Sequence, residues 1–260
     1  LSLYQNKSIS TKDLIIFDEI QECPAAITSL KYFCESYPEG FFAAAGSLLG
    51  LHFHSSFPVA KVSFVDLAPL NFEEFLLAVD ESLLQKKLSS EGVNFDVTEP
   101  IHSRLWELLK NYFIVGGMPE SVSYYVGSMD DPVAAYAGVR SIQKDLVTSY
   151  TNDIAKHSGK LSALNIERVW RSIPAQLSQN MDGSAKKYRF KDVIAGKKGF
   201  RDLSGPLDWI TKAGIGLKIM VVNSALSPSN AYTKENRFKL MLHDIGILGT
   251  MAELTPKTIL

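Results

Sequence analysis

Two adjacent acids, Asp18 and Glu19, follow the apolar run Leu14–Phe17 near the start of the sequence. A short β-prone run bordered by polar residues is typical of a strand that is buried on both faces of a parallel sheet. Acids directly after such a strand lie at its carboxyl end, where open α/β sheets bind ligands. In nucleotide hydrolases an acid at this position holds Mg²⁺, and a neighbouring group orients the attacking water. The alternative is a buried strand that ends in two solvated acids, and this stretch alone favours neither interpretation.

A second predicted strand brings a hydroxyl group to the same edge of the sheet. The helix between the strands begins near Pro24, since proline favours the first helical position, and the next apolar run covers 41–45. Strand, helix and strand predict a right-handed βαβ unit. Adjacent parallel strands would place the hydroxyl of Ser47 beside Asp18 and Glu19, where it can sense a γ-phosphate or position a water molecule.

Several segments of the chain follow the order seen in one prokaryotic protein family: LIIFDEIQ, AAGSLLGL, SFPV, KVSFVDLAPLNFEEFL, YFIVGGMPE and FKLMLHDIGIL. They resemble the uncharacterised AAA-type P-loop ATPases that carry a winged-helix segment and a nuclease-like C-terminal domain. The resemblance implies that LIIFDEIQ is the Walker B strand, with Asp18 as the magnesium ligand and Glu19 as the catalytic acid. It also implies that Ser47 is the polar residue called sensor 1, and that the cofactors are ATP and Mg²⁺.

The phosphate-binding loop of that family is not present in the sequence. Such a loop requires Gly-x-x-x-x-Gly-Lys-Ser/Thr, because its amides and its lysine hold the phosphates. Gly196-Lys197 lacks the upstream glycine and the following hydroxyl, and only 17 residues precede Asp18. The family's C-terminal domain is also missing after FKLMLHDIGIL. We therefore expect the sequence to be an internal part, or the ordered part, of a longer chain.

The composition narrows the class of protein. A net charge of −1 argues against a uniformly basic nucleic-acid binder but permits a local basic patch. No apolar run approaches the roughly 20 residues of a membrane helix, so we expect no membrane partner. Cys23 and Cys34 lie 11 residues apart on one predicted helix, too distant for a disulfide bond. Reduced thiols favour a cytoplasmic location.

His52 and His54 would lie on one face of a strand, as two ligands of a metal site do. No third ligand accompanies them. We therefore interpret them as surface histidines.

Helices are predicted from about residue 71 onward, after a third strand at Val59–Leu67. Asn71, with an acid three residues later, caps a long helix whose buried face runs from Phe72 to Leu83. A polar loop over 85–99 follows.

Two further helices complete a set that resembles the lid subdomain of AAA-type ATPases. One covers 101–113, and the other begins at Asp131-Pro132 with an Asp cap and a proline. The break at 116–120 contains two glycines, which suit either a hinge between nucleotide core and lid or a plain helix–helix turn. Arg140 could reach the phosphates of a neighbouring subunit, but no pattern distinguishes it from a surface arginine.

A basic segment lies in the third region of the chain. Predicted helices at 164–177 and 203–213 are followed by a β-prone run at 217–222, the order of elements in a winged helix. This order favours duplex DNA as a partner, with Lys186, Lys187 and Arg189 as phosphate contacts. The alternative is a packing module with a solvated basic loop. The cations of the segment are Lys186, Lys187, Arg189, Lys191, Lys197, Lys198 and Arg201.

The predicted fold is α/β, with a partial P-loop NTPase core built on a parallel sheet, then a helical lid and a winged-helix-like module. The boundaries are 1–70 for the core, 71–158 for the lid and 159–225 for the module. Residues 226–260 begin a truncated C-terminal domain in which Asp244 caps or turns the chain. His243 and Asp244 could form a catalytic pair, but no nucleophile accompanies them.

Three functions are compatible with this organisation. The first is part of an AAA-type ATPase, in which Mg²⁺-dependent ATP hydrolysis is coupled to lid motion in the intact protein. The second is a non-catalytic DNA-binding or regulatory protein of ATPase ancestry. The third, a Mg²⁺-dependent nuclease using Asp18 and Glu19 directly, ranks last because no further acid or lysine converges on them. The sequence does not define the oligomeric state.

Overall fold

The computed structural model describes residues 10, 12–47, 51, 61–90, 97–178, 187–222, 224, 227 and 229–260. The chain forms two compact units, one within 1–67 and the other within 68–211 and 215–260. Each unit has its own hydrophobic core. Across the described ranges, helices fall short of the length and apolar character that crossing a bilayer requires.

The first unit contains the strand–helix–strand arrangement that the sequence predicts. Strand β1 (Leu14–Phe17) runs parallel to strand β2 (Phe41–Ala44), in a register that places Phe17 opposite Ala44. Helix α1 (Pro24–Ser36) connects the two strands and begins with a proline, as expected. The carboxyl ends of both strands therefore lie at one edge of the sheet.

One face of α1 packs against the sheet. Ile27 and Leu30 are one helical turn apart and both are buried. The ring of Phe33 stacks on Phe17, with centroids 5.5 Å apart, and on Phe42, with centroids 4.6 Å apart. Aromatic and aliphatic packing thus fixes the helix over the two strands.

The prediction that β1 is buried on both faces is wrong for the described structure. Leu14 and Ile16 alternate along the strand and remain 58% and 61% exposed. The reason is that the described part of this sheet has only two strands, and its core forms against α1.

The third predicted strand is also wrong in its described part. Residues 62–70 adopt no regular secondary structure, and Val65 and Leu67 are almost fully exposed. A β-prone segment needs a partner strand for its backbone, and no described strand pairs with it.

The long helix predicted after Asn71 is divided into two. Helix α2 (Phe72–Ala78) has the expected capping box, in which Asn71 accepts from the Glu74 N–H and Glu74 accepts from the Asn71 N–H. Asp80 then adopts a left-handed conformation with φ of 63°, and a second helix, α3 (Ser82–Ser90), begins where a loop was expected.

This break changes which face of the chain is buried after Ala78. Leu83, predicted to be buried, is 79% exposed, whereas Leu84 and Leu88 pack against the core. The left-handed residue rotates the helical phase by breaking the backbone hydrogen-bond ladder, so a pattern extended from α2 fails.

The next helices agree with the sequence-based expectations. Helix α4 (Glu99–Val115) and helix α5 (Pro119–Gly127) are separated at the predicted glycine pair. Helix α6 (Pro132–Ser158) begins as expected, because Asp131 accepts a hydrogen bond from the Ala134 N–H. The buried core of this unit includes Phe75, Leu76, Leu105, Leu108, Ile114, Val115, Val122, Tyr125, Ala135, Tyr136 and Val139.

Two more helices and a hairpin follow. Helix α7 (Lys160–Ser178) continues past Pro174, and helix α8 (Phe200–Lys212) leads into strand β3 (Gly216–Val222). Strand β4 (Thr233–Leu242) pairs antiparallel with β3.

The C-terminal segment packs within the second unit. Helix α9 (Ile245–Met251) follows β4 and contacts α4 and α6, and helix α10 (Pro256–Ile259) also contacts α4. The four domain boundaries stay predictions.

Candidate functional site

Two carboxylates lie at the carboxyl end of β1. Asp18 and Glu19 are exposed, and the Glu19 N–H donates to Asp18 Oδ1 at 3.0 Å. Glu19 has φ of 47°, a left-handed conformation that is uncommon for residues other than glycine. This conformation turns the chain sharply away from the sheet into the 3-10 turn Ile20–Glu22. Strained backbone of this kind clusters at functional sites.

The chain after β2 is held beside this turn by backbone hydrogen bonds. The Ala45 N–H donates to the Phe17 carbonyl at 2.8 Å, and the Ile20 N–H donates to the Ala45 carbonyl at 3.1 Å. Ser47 follows, and its Oγ donates to Glu19 Oε2 at 3.3 Å. The structure thus brings Ser47 and Glu19 together, as the βαβ pattern predicts, while their roles stay predictions.

Gln21 joins the same cluster and was not singled out from the sequence. Its Nε2 donates to Glu19 Oε2 and, at 3.3 Å, to Ser47 Oγ. Its Oε1 is buried and has no donor among the described residues. The only sequence signal is its place three residues after Asp18, because the 3-10 turn folds it back over Glu19.

The cluster fits a magnesium ion bound together with phosphates better than an all-protein metal cage. Mg²⁺ is usually bound through one or two carboxylates plus substrate phosphates and water. Asp18 and Glu19 supply two exposed carboxylates. In the parts of the chain that the structure covers, no three His, Cys, Asp or Glu side chains gather as metal ligands. His52, His54 and Lys186 lie outside the described residues.

The other predicted contacts, Lys187 and Arg189, lie in the second unit and are exposed. They line a groove of about 600 Å³ together with Lys191 and Lys198. The main chain there is anchored to α7, because the Arg189 N–H donates to Gln176 Oε1 at 2.8 Å and the Gln176 side chain returns a bond to the Arg189 carbonyl at 3.1 Å.

Aromatic rings form the floor of this basic segment. Tyr188 stacks on Phe238 with centroids 5.8 Å apart, and Phe190 contacts Phe238 edge-on at 5.9 Å. Lys218 places its Nζ 4.7 Å from the centre of the Phe238 ring, a cation–π contact. Sequence analysis missed these rings, because the residues that pair are about 50 positions apart.

The adjacent pair His243 and Asp244 is structural. His243 bonds through Nε2 with the Tyr150 hydroxyl and through Nδ1 with the Ile215 carbonyl, both at 3.2 Å. Burial lowers the pKa of His243. Asp244 Oδ1 accepts from the Ile247 N–H at 2.8 Å, so the expected capping role is confirmed.

The predicted glycine break is a site of close packing. A Cβ at Gly116, where φ is 72°, would lie 2.5 Å from Asp244 Oδ1. A Cβ at Gly117 would lie 1.9 Å from the Leu70 carbonyl oxygen. Both positions require glycine because backbone and carboxylate approach the turn closely.

Two family models match the chain. Residues 1–76 match an AAA domain, which indicates that the first unit belongs to an AAA-type ATPase-like domain. Residues 106–258 match a domain of unknown function, DUF8612. Neither a curated protein nor a solved structure matches the chain. Since the second match covers more than half of the sequence, this chain belongs to the DUF8612 family.

Proposed function

We propose that residues 1–76 are part of the nucleotide-binding domain of an ATPase that hydrolyses ATP with Mg²⁺. The observation that carries the proposal is the contact between Ser47 Oγ and Glu19 Oε2 at the shared edge of two parallel strands. In this proposal Asp18 holds the magnesium ion, Glu19 accepts a proton from the attacking water, and Ser47 orients Glu19. The match of this segment to an AAA domain supports the assignment.

The geometry of Glu19 suits a general base. Its carboxylate is exposed and is fixed by two donors, Ser47 and Gln21, so it can face a water molecule in one orientation. A positioned general base contributes a factor of roughly 10² to 10⁴ to a rate. Bound magnesium would supply positive charge to the phosphates. The direct test compares ATP turnover of the full-length protein with and without Glu19→Gln.

The helices at 71–158 serve as the lid in this proposal, and their motion is coupled to the nucleotide cycle. The glycine turn at 116–117 bears on that role. Asp244 bonds to the Gly117 N–H at 2.6 Å, so the turn is held at both of its sides and suits a rigid lid better than a hinge within it. A lid that moves would therefore move as one body.

A second candidate function is binding of duplex DNA by a winged-helix-like module. The order α7, a short extended segment, α8 and the β3–β4 hairpin matches the order of elements in that motif. The Tyr188 N–H donates to the Phe238 carbonyl at 2.8 Å, so the extended segment joins the edge of the hairpin. The exposed cations Lys187 and Arg189, with Lys186 before them, would contact phosphates.

Electrostatic contacts of this kind give binding that weakens steeply with salt. Fluorescence anisotropy with duplex DNA at two salt concentrations is the appropriate measurement. A nuclease that uses Asp18 and Glu19 alone is disfavoured, since no third acid gathers with them among the described residues.

A further inference from the structure

A pocket of about 690 Å³ in the second unit has a positively charged wall. It lies among α6, α7 and the C-terminal helices, and it shares no residue with the carboxylate cluster or the basic groove. Three cations against one acid give the wall a net charge of +2. The charged lining residues are Arg140, Lys144, Arg171 and Glu253.

Arg140 uses only one of its three guanidinium nitrogens. Its Nη1 donates to Gln143 Oε1 at 2.7 Å, to the Gly246 carbonyl at 3.0 Å and to Thr250 Oγ1 at 2.7 Å. Its Nε and Nη2 are buried and have no acceptor among the described residues. Two buried donors without partners are costly, because each has given up its hydration without replacement.

The two unpartnered nitrogens form the edge of a guanidinium that holds oxyanions. Arg104 shows this use within the same chain, since its Nε and Nη2 bind Glu81 Oε1 at 3.0 and 2.6 Å. Such two-point contacts are characteristic of arginine with carboxylates and phosphates. No acid forms an ion pair with Arg140 among the described residues.

Other cations and hydroxyl groups surround this edge. Lys144 and Thr148 lie four and eight residues after Arg140, so all three occupy one face of α6. Arg171 is contributed by α7, where Glu167 holds its Nε at 2.7 Å. Burial lowers the pKa of Arg140, and the Asp244 carboxylate opposes this shift only in part. A guanidinium nevertheless stays charged in proteins, and this one lacks a counterion among the described side chains.

We propose that this pocket binds the phosphate group of a small ligand, either inorganic phosphate or an organic phosphate monoester. Arg140 supplies the two-point contact, and Lys144 supplies the second charge. Val147, Leu254 and Pro256 give the pocket an apolar side that can hold an organic remainder. The inference is independent of the ATPase proposal, because its residues lie in the second unit.

Isothermal titration of the protein with inorganic phosphate and with phenyl phosphate tests this site. We expect one binding site per chain. Tighter binding of phenyl phosphate would show that the apolar side takes part, and equal binding would assign the site to the phosphate group alone. Absence of binding by the unmodified protein at millimolar ligand would overturn the proposal.

Variants locate the site. Lys144→Gln should weaken binding by roughly two- to fivefold, the range for one exposed charge contact. Arg140→Lys, which keeps the charge but cannot form the two-point contact, should weaken it by more than about tenfold. Lys86→Gln, at a lysine on α3 outside the pocket, is the matched control and should bind normally.

Lys144→Gln remains informative if Arg140→Lys does not fold, because Lys144 is exposed. Unweakened binding by Lys144→Gln would contradict the proposal. Glu19→Gln should leave phosphate binding unchanged, so failure here and failure of the ATPase proposal are distinguishable.

Discussion

Asp244 accepts a hydrogen bond of 2.6 Å from the backbone N–H of Gly117, a residue 127 positions earlier in the chain. The second oxygen of the same buried carboxylate accepts from the Ile247 N–H at 2.8 Å. One side chain therefore caps α9 and ties it to the turn between α4 and α5. The C-terminal segment is thus part of the packing of the second unit.

Asp244→Ala should lower the free energy of unfolding by about 2–4 kcal/mol. The variant removes a helix cap and leaves the buried N–H of Gly117 unsatisfied, and each change costs about 1–2 kcal/mol or more. Urea denaturation measures the difference. Asp208→Ala, at an exposed position on α8, is the control. A decrease no larger than that of the control would show that the cap contributes little.

Gly117→Ala should destabilise the second unit by more than about 1–3 kcal/mol, the usual cost of overpacking. Its new methyl group would lie 1.9 Å from the Leu70 carbonyl oxygen, which is backbone and cannot swing away. Gly127→Ala is the matched control, because a Cβ there meets nothing within 4 Å. The midpoint of thermal unfolding reports both variants. Equal midpoints would contradict the close packing of the turn.

Stability should fall as the pH decreases below about 6.5, partly because of His243. Burial lowers the pKa of His243 from 6.5, so the folded state holds it neutral while the unfolded state takes up a proton. The stabilising contribution is therefore present above pH 6.5 and disappears as pH falls toward the lowered pKa. Urea denaturation at pH 7.5 and 5.5 tests this, with His243→Gln as comparison. An equal decrease in the variant would assign the effect to other groups.

Replacement of Lys186, Lys187 and Arg189 together should weaken binding of duplex DNA and reduce its dependence on salt. Removing one phosphate contact lowers the slope of log affinity against log salt by about 0.9. The control replaces three lysines outside the groove, at positions 31, 86 and 257. If the unmodified protein fails to bind at low salt, or if the triple variant binds equally, the segment is a solvated loop on a packing module.

The 260 residues alone should show no ATP hydrolysis and at most weak ATP binding. The sequence holds no Gly-x-x-x-x-Gly-Lys-Ser/Thr segment, and the exposed acids at 18 and 19 repel a polyanion. Isothermal titration measures the affinity. A sub-micromolar dissociation constant would show that phosphates are held by groups other than such a loop.

Local signals predicted much of the fold. Capping residues such as Asn71 and Asp131, and prolines at first helical positions, act within one turn of the chain, so they can be recognised in one sequence. The parallel pair β1–β2 followed from two apolar runs separated by one helix. The hydrogen bond between Ser47 and Glu19 followed in turn, because parallel strands end at the same edge.

The features that were missed depend on distant partners or on a single backbone angle. Asp80 breaks a helix through a left-handed conformation that its neighbours do not encode. Residues 62–70 have the composition of a strand without a described partner to pair with. Arg140 looked like a surface residue, because Gly246 and Thr250, which hold it, come more than 100 positions later.

The central claim is that Glu19 acts as the base in ATP hydrolysis, and the turnover of Glu19→Gln tests it most directly. In the full-length protein this variant should still bind Mg·ATP but hydrolyse it roughly 10² to 10⁴ times more slowly. Asp18→Ala should instead weaken Mg²⁺ binding, and Glu39→Gln, an exposed acid before β2 at the opposite end of the sheet, should behave as the unmodified protein does. Unchanged turnover in Glu19→Gln and Asp18→Ala would contradict the assignment.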